Sequence, residues 1–234
     1  TQEMWLEIYK NNPSYFKGDK RPVEKVSWWN AIYFCNEMSK KYKLEPVYNI
    51  TYDDFDKPIL KINQIGESPV EPDKADFKKT EGFRLPTEVE WEWFARGGEV
   101  AMQDGTFNYK HSGSDNLNEV AWYYDNSYKK THDVGTKKPN QLGLYDCSGN
   151  VYEWLYDTDC SGYISEKTPY IYDETQNSKR LKGGCWDTDD YEDNASISKR
   201  CSSRDNNTID SMCLPSTRYR TVQISCGFRI VRTI

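Results

Sequence analysis

Two stretches of this 234-residue chain carry a sustained helical period, and what surrounds them reads as short strands and loops. Ser27 can cap the first helix, which the spacing predicts to run to about Lys43. Trp28, Ala31, Ile32, Cys35, Met38 and Tyr42 fall on one face of it. Cys35 is therefore expected to be a small core residue. The second helix lies in "GFRLPTEVEWEWFARGG". Thr87 and Glu90 form a capping box, Trp91, Phe94 and Ala95 share a face, and Gly97 suits the C-terminal cap. Residues 46–80 are rich in Pro, Asp and Lys, with alternating runs such as "PVYNITYDD" that predict a hairpin and loops. Residues 99–140 are loop-rich. In "NQLGLYDCSGNVYEWLYD", Leu144 and Tyr145 are expected to open a short strand, Gly149–Asn150 to turn the chain, and Val151 to Trp154 to alternate between faces. Helices followed by irregular strands, without βαβ repeats, predict an α+β fold. No internal repeat or linker is visible, so residues 1–234 are expected to form one domain.

Composition excludes several classes. Fifteen per cent of the chain is aromatic, with 8 Trp and 18 Tyr, which is too much bulky apolar surface for a disordered chain. A net charge of −6 argues against nucleic-acid binding, which needs a basic surface. No run approaches the ~18 apolar residues of a membrane span. The chain opens at Thr1 without a signal peptide, and the expectation is that a segment upstream carries any address or lipid anchor. The 7 cysteines include no C-x-x-C pair, which disfavours a zinc ribbon or a thioredoxin-type site. The two histidines, His111 and His132, cannot build a three-histidine metal site.

Four blocks in order, "RPVEKVSWWNAIYFCNEMS", "GFRLPTEVEWEWFARGG", "PNQLGLYDCSGNVYEW" and the C-terminal series of "RLKGG", "RCSSRDNN" and "CGFRIVR", resemble the formylglycine-generating-enzyme, or sulfatase-modifying-factor, family. The resemblance covers nearly the whole chain and implies a C-type-lectin-like fold with long loops and little regular structure. The oxidising members use a cysteine pair, placed between the Gly-Gly step and a later Arg-Cys strand, to bind copper and do the chemistry. Here the counterparts of that pair fall on Thr188 and Asp193 counting from Gly183–Gly184, or on Tyr191 and Ser196 counting back from Cys201. No cysteine lies between Cys185 and Cys201. Copper and thiol oxidation both need thiolates. The expectation is therefore a protein that is not an enzyme and binds no copper. Cys185 stands where the family usually has Ser, and Cys201 matches a buried-strand cysteine.

From Asp187 to Cys226, only Glu192, Lys199, Met212 and Gln223 are Glu, Gln, Lys, Met or Trp. Those types fill fifty-two positions in residues 1–186, so about eleven would be expected among these forty. Randomising the adenines of AAC codons yields codons ending in C, and these never encode the five missing types. The pattern resembles the variable proteins of diversity-generating retroelements. That resemblance implies a hypervariable ligand-binding segment at 185–226 on a fixed lectin-like scaffold. The implied contact residues are Trp186, Asp187, Thr188, Asp189, Asp190, Tyr191, Ser203, Asp205, Asn206, Asn207, Thr208, Asp210, Arg218 and Tyr219, a polar-aromatic mixture like that of antibody loops. The acidic run Asp187 to Asp190 taken alone reads equally well as a solvated loop. Cys201, Cys213 and Cys226 are products of randomisation on this reading, and a chance Cys213–Cys226 disulfide stays open. The ligand is expected to be a protein or another cell-surface molecule, met by a monomer outside the cell. The alternatives are an oxidase of the formylglycine type and an ordinary periplasmic interaction domain with an unvaried loop.

"YDCSGNVYEW" resembles the family's calcium loop. The implied ligands are the Asp146 and Glu153 carboxylates and the carbonyls of Gly149 and Val151, hard oxygens that suit a structural Ca2+. The other reading is a turn capped by Asp146.

Overall fold

The computed structural model describes residues 1–159, 169–188, 196–197 and 224–233, and the backbone of 201–204. Five helices and eight strands occur among these residues. A short helix, α1 (Gln2–Leu6), is capped by Thr1. The first expected helix is α2 (Trp28–Lys41). The Ser27 hydroxyl accepts from the Asn30 amide at 3.1 Å, and the Asn30 side chain accepts in return from the Ser27 amide at 2.9 Å. Trp28, Ala31, Ile32, Cys35 and Met38 are buried as the spacing requires, whereas Tyr42 lies past the helix end and is 58% exposed.

The expected hairpin is β1 (Tyr48–Tyr52) and β2 (Pro58–Ile62), antiparallel with Tyr48 opposite Ile62. A two-residue strand, β3 (Phe83–Arg84), leads into α3 (Glu88–Ala95), whose capping box is Thr87 and Glu90. Gly97 follows with φ 86° and also starts α4 (Gly98–Asp104); α5 is Leu117–Val120. Leu144 and Tyr145 form no strand. Asn140 intervenes: its side-chain oxygen accepts from the Leu142 and Leu144 amides at 3.0 and 3.1 Å, and its own amide donates to the Leu144 carbonyl at 2.9 Å. This side chain takes the backbone partners a neighbouring strand would supply.

The central sheet contains β4 (Tyr152–Thr158), β5 (Ser178–Lys182), β6 (Cys201–Arg204) and β7 (Cys226–Phe228) in the order β6-β5-β4-β7. Pairs β4–β5 and β5–β6 are antiparallel, and β4–β7 is parallel. A last strand, β8 (Val231–Arg232), closes on β3. The expected inside–outside alternation at Val151 to Trp154 does not occur, because β4 is covered on both sides. Trp154 and Tyr156 pack with Trp28, Ile32, Cys35, Tyr48, Ile62 and Leu181, while Leu155 packs with Trp91, Ala95, Cys147 and Ile197. The Trp28 indole N–H donates to the Leu155 carbonyl at 2.7 Å, and that of Trp154 to the Val26 carbonyl at 2.9 Å, so both buried indoles are satisfied.

Charge is buried between α3 and β5. Arg180 and Lys182, two apart on β5, point to the same side and are 3% and 1% exposed. Arg180 pairs with buried Glu88, and Lys182 lies 3.5 Å from Glu88 and 3.3 Å from Glu92. The Asp157 carboxylate accepts from the Glu88 amide at 2.7 Å, which helps cap α3, and from the Ile171 amide at 2.9 Å. Removing one partner of such a cluster leaves an uncompensated buried charge. Lys182→Met is therefore expected to cost about 3–5 kcal/mol in chemical denaturation. An exposed pair such as Lys40–Glu37 is expected to lose less than about 1 kcal/mol when Lys40 becomes Met. Equal losses at the two sites would contradict this division.

Candidate ligand-binding surface and the loop beneath it

Strand β5 ends at Gly183 and Gly184, which have φ 94° and 73°. A side chain at Gly183 would come within 3.1 Å of the Cys147 carbonyl, so only glycine lets the strand end lie against that loop. The Gly149 amide donates to the Gly183 carbonyl at 2.7 Å and fastens the two loops together.

The chain then makes a tight turn that is framework, not surface. The Thr188 hydroxyl accepts from the Cys185 amide at 2.8 Å and donates to the Tyr152 hydroxyl at 3.1 Å. The Thr188 carbonyl accepts from the Tyr124 amide at 3.0 Å. Trp186 is held by its amide to the Asn150 carbonyl at 2.9 Å, by the Ser127 hydroxyl on its carbonyl at 2.7 Å, and by the edge of Phe16 at 5.3 Å. Trp186 and Thr188 are 6% and 5% exposed. Both were expected among the contact residues; the structure buries both side chains in the turn. Asp187 between them is half-buried.

Two further points fasten the segment. Ile197 is buried against Trp91 and Leu155; its amide donates to the Lys110 carbonyl at 3.0 Å, and its carbonyl accepts from the Lys182 ammonium at 2.8 Å. The 201–204 strand pairs with β5, placing Ser203 opposite Lys179. Asp189, Asp190, Tyr191, Asp205, Asn206, Asn207, Thr208, Asp210, Arg218 and Tyr219 lie outside the described residues, as does Cys213.

Three exposed tyrosines that the sequence did not single out belong to segments that contact the turn at 186–188. Tyr124 is 50% exposed and precedes the bend carrying Ser127. Tyr128 is 81% exposed with φ 54°, and Tyr15, 65% exposed, packs edge-on to Phe16 at 4.9 Å. A bulky residue at positive φ is strained. The signal that could have found Tyr124 and Tyr128 is the tyrosine-rich run "YYDNSY" in a loop; nothing comparable marks Tyr15.

The loop named for calcium sits below. Asp146 has φ 56°; its Oδ2 accepts from the Gly135 amide at 2.8 Å, and its Oδ1 is buried without a hydrogen-bond partner. Burial raises its carboxyl, opposed by the Gly135 amide and by Arg229. Glu153 is buried too. Its Oε2 accepts from the Trp91 indole at 2.6 Å, and Arg229 donates to Oε1 at 2.7 Å and to Oε2 at 3.1 Å. Arg229 was not foreseen as part of this loop. The orphaned Asp146 oxygen fits a cation, whereas the guanidinium on Glu153 already supplies positive charge there. No cluster of three His, Cys, Asp or Glu side chains arranged for a metal occurs among the described residues. Buried Cys147 is pushed up to about 11 by its burial, and Cys185 is raised for the same reason, so both are thiols at neutral pH.

A scaffold of lectin type with a fastened C-terminal segment defines a class, and comparison with known proteins gives the family. The model of the sulfatase-modifying factor enzyme 1-like domain matches residues 2–234, and this chain belongs to that family. The structure is similar to Treponema denticola variable protein 1, with TM-score 0.73, 32% identity, and coverage of 98% of this chain and 80% of that one. In sequence it is 36% identical over 204 residues to a protein named chaperone protein LppX of Paenibacillus barcinonensis, covering 80% of this chain and 66% of that one. It is 30% identical over 126 residues to the formylglycine-generating enzyme of Thermomonospora curvata, covering 44% of this chain and 38% of the enzyme. The chain thus spans less than two thirds of these sequence relatives. No helix among the described residues is long and apolar enough to cross a membrane.

The buried and half-buried members of the turn differ in what they contribute. Thr188→Val removes a hydroxyl used by the buried Cys185 amide and the half-buried Tyr152 hydroxyl and is expected to cost about 1–3 kcal/mol. Asp187→Ser is expected to stay within about 0.5 kcal/mol. Thermal melts of the two variants check this, and a reversed order would contradict the framework role of Thr188.

Proposed function

We propose that this chain is a non-catalytic binding protein that presents its C-terminal segment, diversified by a retroelement, on a fixed lectin-like framework. The observation carrying this reading is that no cysteine lies between Cys185 and Cys201 in a chain similar to a variable protein over 98% of its length. The depletion of Glu, Gln, Lys, Met and Trp across 187–226 supports diversification. The polar side chains of the segment would supply adaptable contacts. Tyr15, Tyr124 and Tyr128 supply a fixed aromatic rim, since tyrosine gives large contact area at low entropy cost. The partner is a protein or other molecule on a cell surface, and the site of action is outside the cell.

Two readings compete with this one. The formylglycine-generating relatives make an oxidase conceivable, but the thiols near the Gly-Gly step are Cys147 and Cys185, both buried and protonated. The name of the Paenibacillus relative favours an interaction domain with an unvaried loop. Incubated with a sulfatase-type cysteine peptide, with or without copper, the protein is expected to give no formylglycine by mass spectrometry. Product above a no-protein control would overturn the non-enzyme reading. Sequencing the coding locus separates the remaining pair. A nearby template repeat differing from the codons of 185–226 only at template adenines supports diversification, and its absence favours the unvaried domain.

Calcium is proposed as a structural ion of the 146–153 loop. The Asp146 and Glu153 carboxylates with the Gly149 and Val151 carbonyls would hold it, and it would relieve the repulsion between the two acids. Binding to the folded state alone adds about 2.7 kcal/mol at one hundred times Kd. Calcium is therefore expected to raise the melting temperature, a chelator to lower it, and Asp146→Asn to remove most of the response. Asp146 is the residue to change, because altering Glu153 also strips Trp91 and Arg229 of their partner. Melting curves that overlay in calcium and in chelator would leave the loop a capped turn.

A further inference from the structure

Glu24 has no part in the binding surface, yet its side chain is wholly buried. One oxygen accepts from the Phe16 amide at 2.8 Å, and the other is buried with no hydrogen-bond partner. Its amide donates to the Ser14 hydroxyl at 3.1 Å. Beside it lies a second buried polar group, Gln2. The Gln2 amide nitrogen donates to the Phe16 and Pro22 carbonyls at 2.7 and 3.0 Å, and its oxygen accepts from Asn12 and the Gly18 amide at 2.7 and 3.1 Å. The whole 12–24 loop is thus wound around Gln2 and Glu24.

That loop reaches Trp186 by two routes. Phe16 packs its edge on the indole at 5.3 Å. The Lys20 carbonyl accepts from the Val134 amide at 2.9 Å, and Arg21 donates to the Thr131 carbonyl. Between those residues, His132 exchanges hydrogen bonds of 3.0 and 3.1 Å with the Asn150 side chain, and the Asn150 carbonyl accepts from the Trp186 amide.

We infer that the 12–24 loop is a pH-responsive brace under the first residues of the C-terminal segment, seated while Glu24 holds its proton and loosened when the proton leaves. The physical cause is the cost of an unpaired charge in a site closed to water. The charged groups acting on Glu24 are Lys25 and Lys17, and both are exposed. The Lys17 ammonium instead donates to the Asn12 carbonyl at 2.7 Å. Burial pushes the carboxyl up to about 7, opposed by the backbone amides and the two lysines. The unfolded value is about 4.3. A raised carboxyl favours the protonated fold, so this stabilisation is fully present below about 4.3 and is lost as pH rises through about 7. The brace does not depend on what the segment binds.

Hydrogen exchange of the full chain between pH 6 and 8, corrected with an unstructured peptide, tests it. Protection of 12–24 and 185–188 is expected to fall several-fold as pH rises, with the rest of the chain unchanged. Glu24→Gln is expected to hold the pH 6 protection at pH 8. Should that variant not fold, the 13C carboxyl titration of Glu24 in the unaltered protein serves, with a midpoint expected between pH 6 and 8 that coincides with the exchange change. A loss spread evenly over the chain, a pH profile unaltered by Glu24→Gln, or a carboxyl midpoint below 6 would each overturn the proposal.

Discussion

A single buried carboxylate, that of Glu153, joins three parts of the chain that are far apart in sequence. It accepts from the Trp91 indole on α3 and from Arg229 next to the C-terminal strands, while its own backbone pairs with both β5 and β7. The buried carboxylate has its hydrogen-bonding capacity met by the indole and the guanidinium. Stripped of Arg229 it would be an isolated buried charge, and the low local dielectric would turn the same interaction against the fold. Trp91, which donates to this carboxylate, also packs against Ile197. Arg180 and Lys182 repeat the device a few ångströms along the sheet, holding α3 through Glu88 and Glu92.

Local chemistry was legible and long-range pairing was not. The caps at Ser27 and Thr87, the hairpin after residue 46 and the Gly-Gly break follow from residues within four or five positions of each other, and the structure contains all of them. The strand expected at Leu144 fails because Asn140 satisfies the same backbone groups from the side. Trp186 and Thr188 read as contact residues because they open a stretch of polar and aromatic residues. Their burial comes from Phe16, Tyr124, Ser127 and Tyr152, which no local pattern connects to them. Arg229 is a similar case: "CGFR" says nothing of a carboxylate seventy-six positions earlier. Cysteine arithmetic, by contrast, needs no partner to be found. The missing thiols between Cys185 and Cys201 are visible by counting alone.

The fastening of the C-terminal segment is what the proposed binding role would require of a fold that other members use for oxidation. Hydrogen bonds and packing at 186–188, the burial of Ile197, and the pairing of 201–204 with β5 fix where the segment leaves and rejoins the framework. Binding then benefits from a framework already in place, since less ordering is needed when a partner arrives. Trp186 and Thr188 are buried in the framework, so on the proposed reading variation would fall beside and beyond them.

The most direct test is a comparison of two libraries of the full chain, scored by the fraction of members that melt cooperatively. One randomises Asp187, Asp189, Asp190, Tyr191, Asp205, Asn206, Asn207, Thr208 and Asp210; the other randomises Trp186, Thr188, Ser196 and Ile197. The account predicts that most members of the first library melt within a few degrees of the unaltered protein, and that few members of the second fold at all. Equal losses in the two libraries would contradict a fixed framework carrying a variable surface.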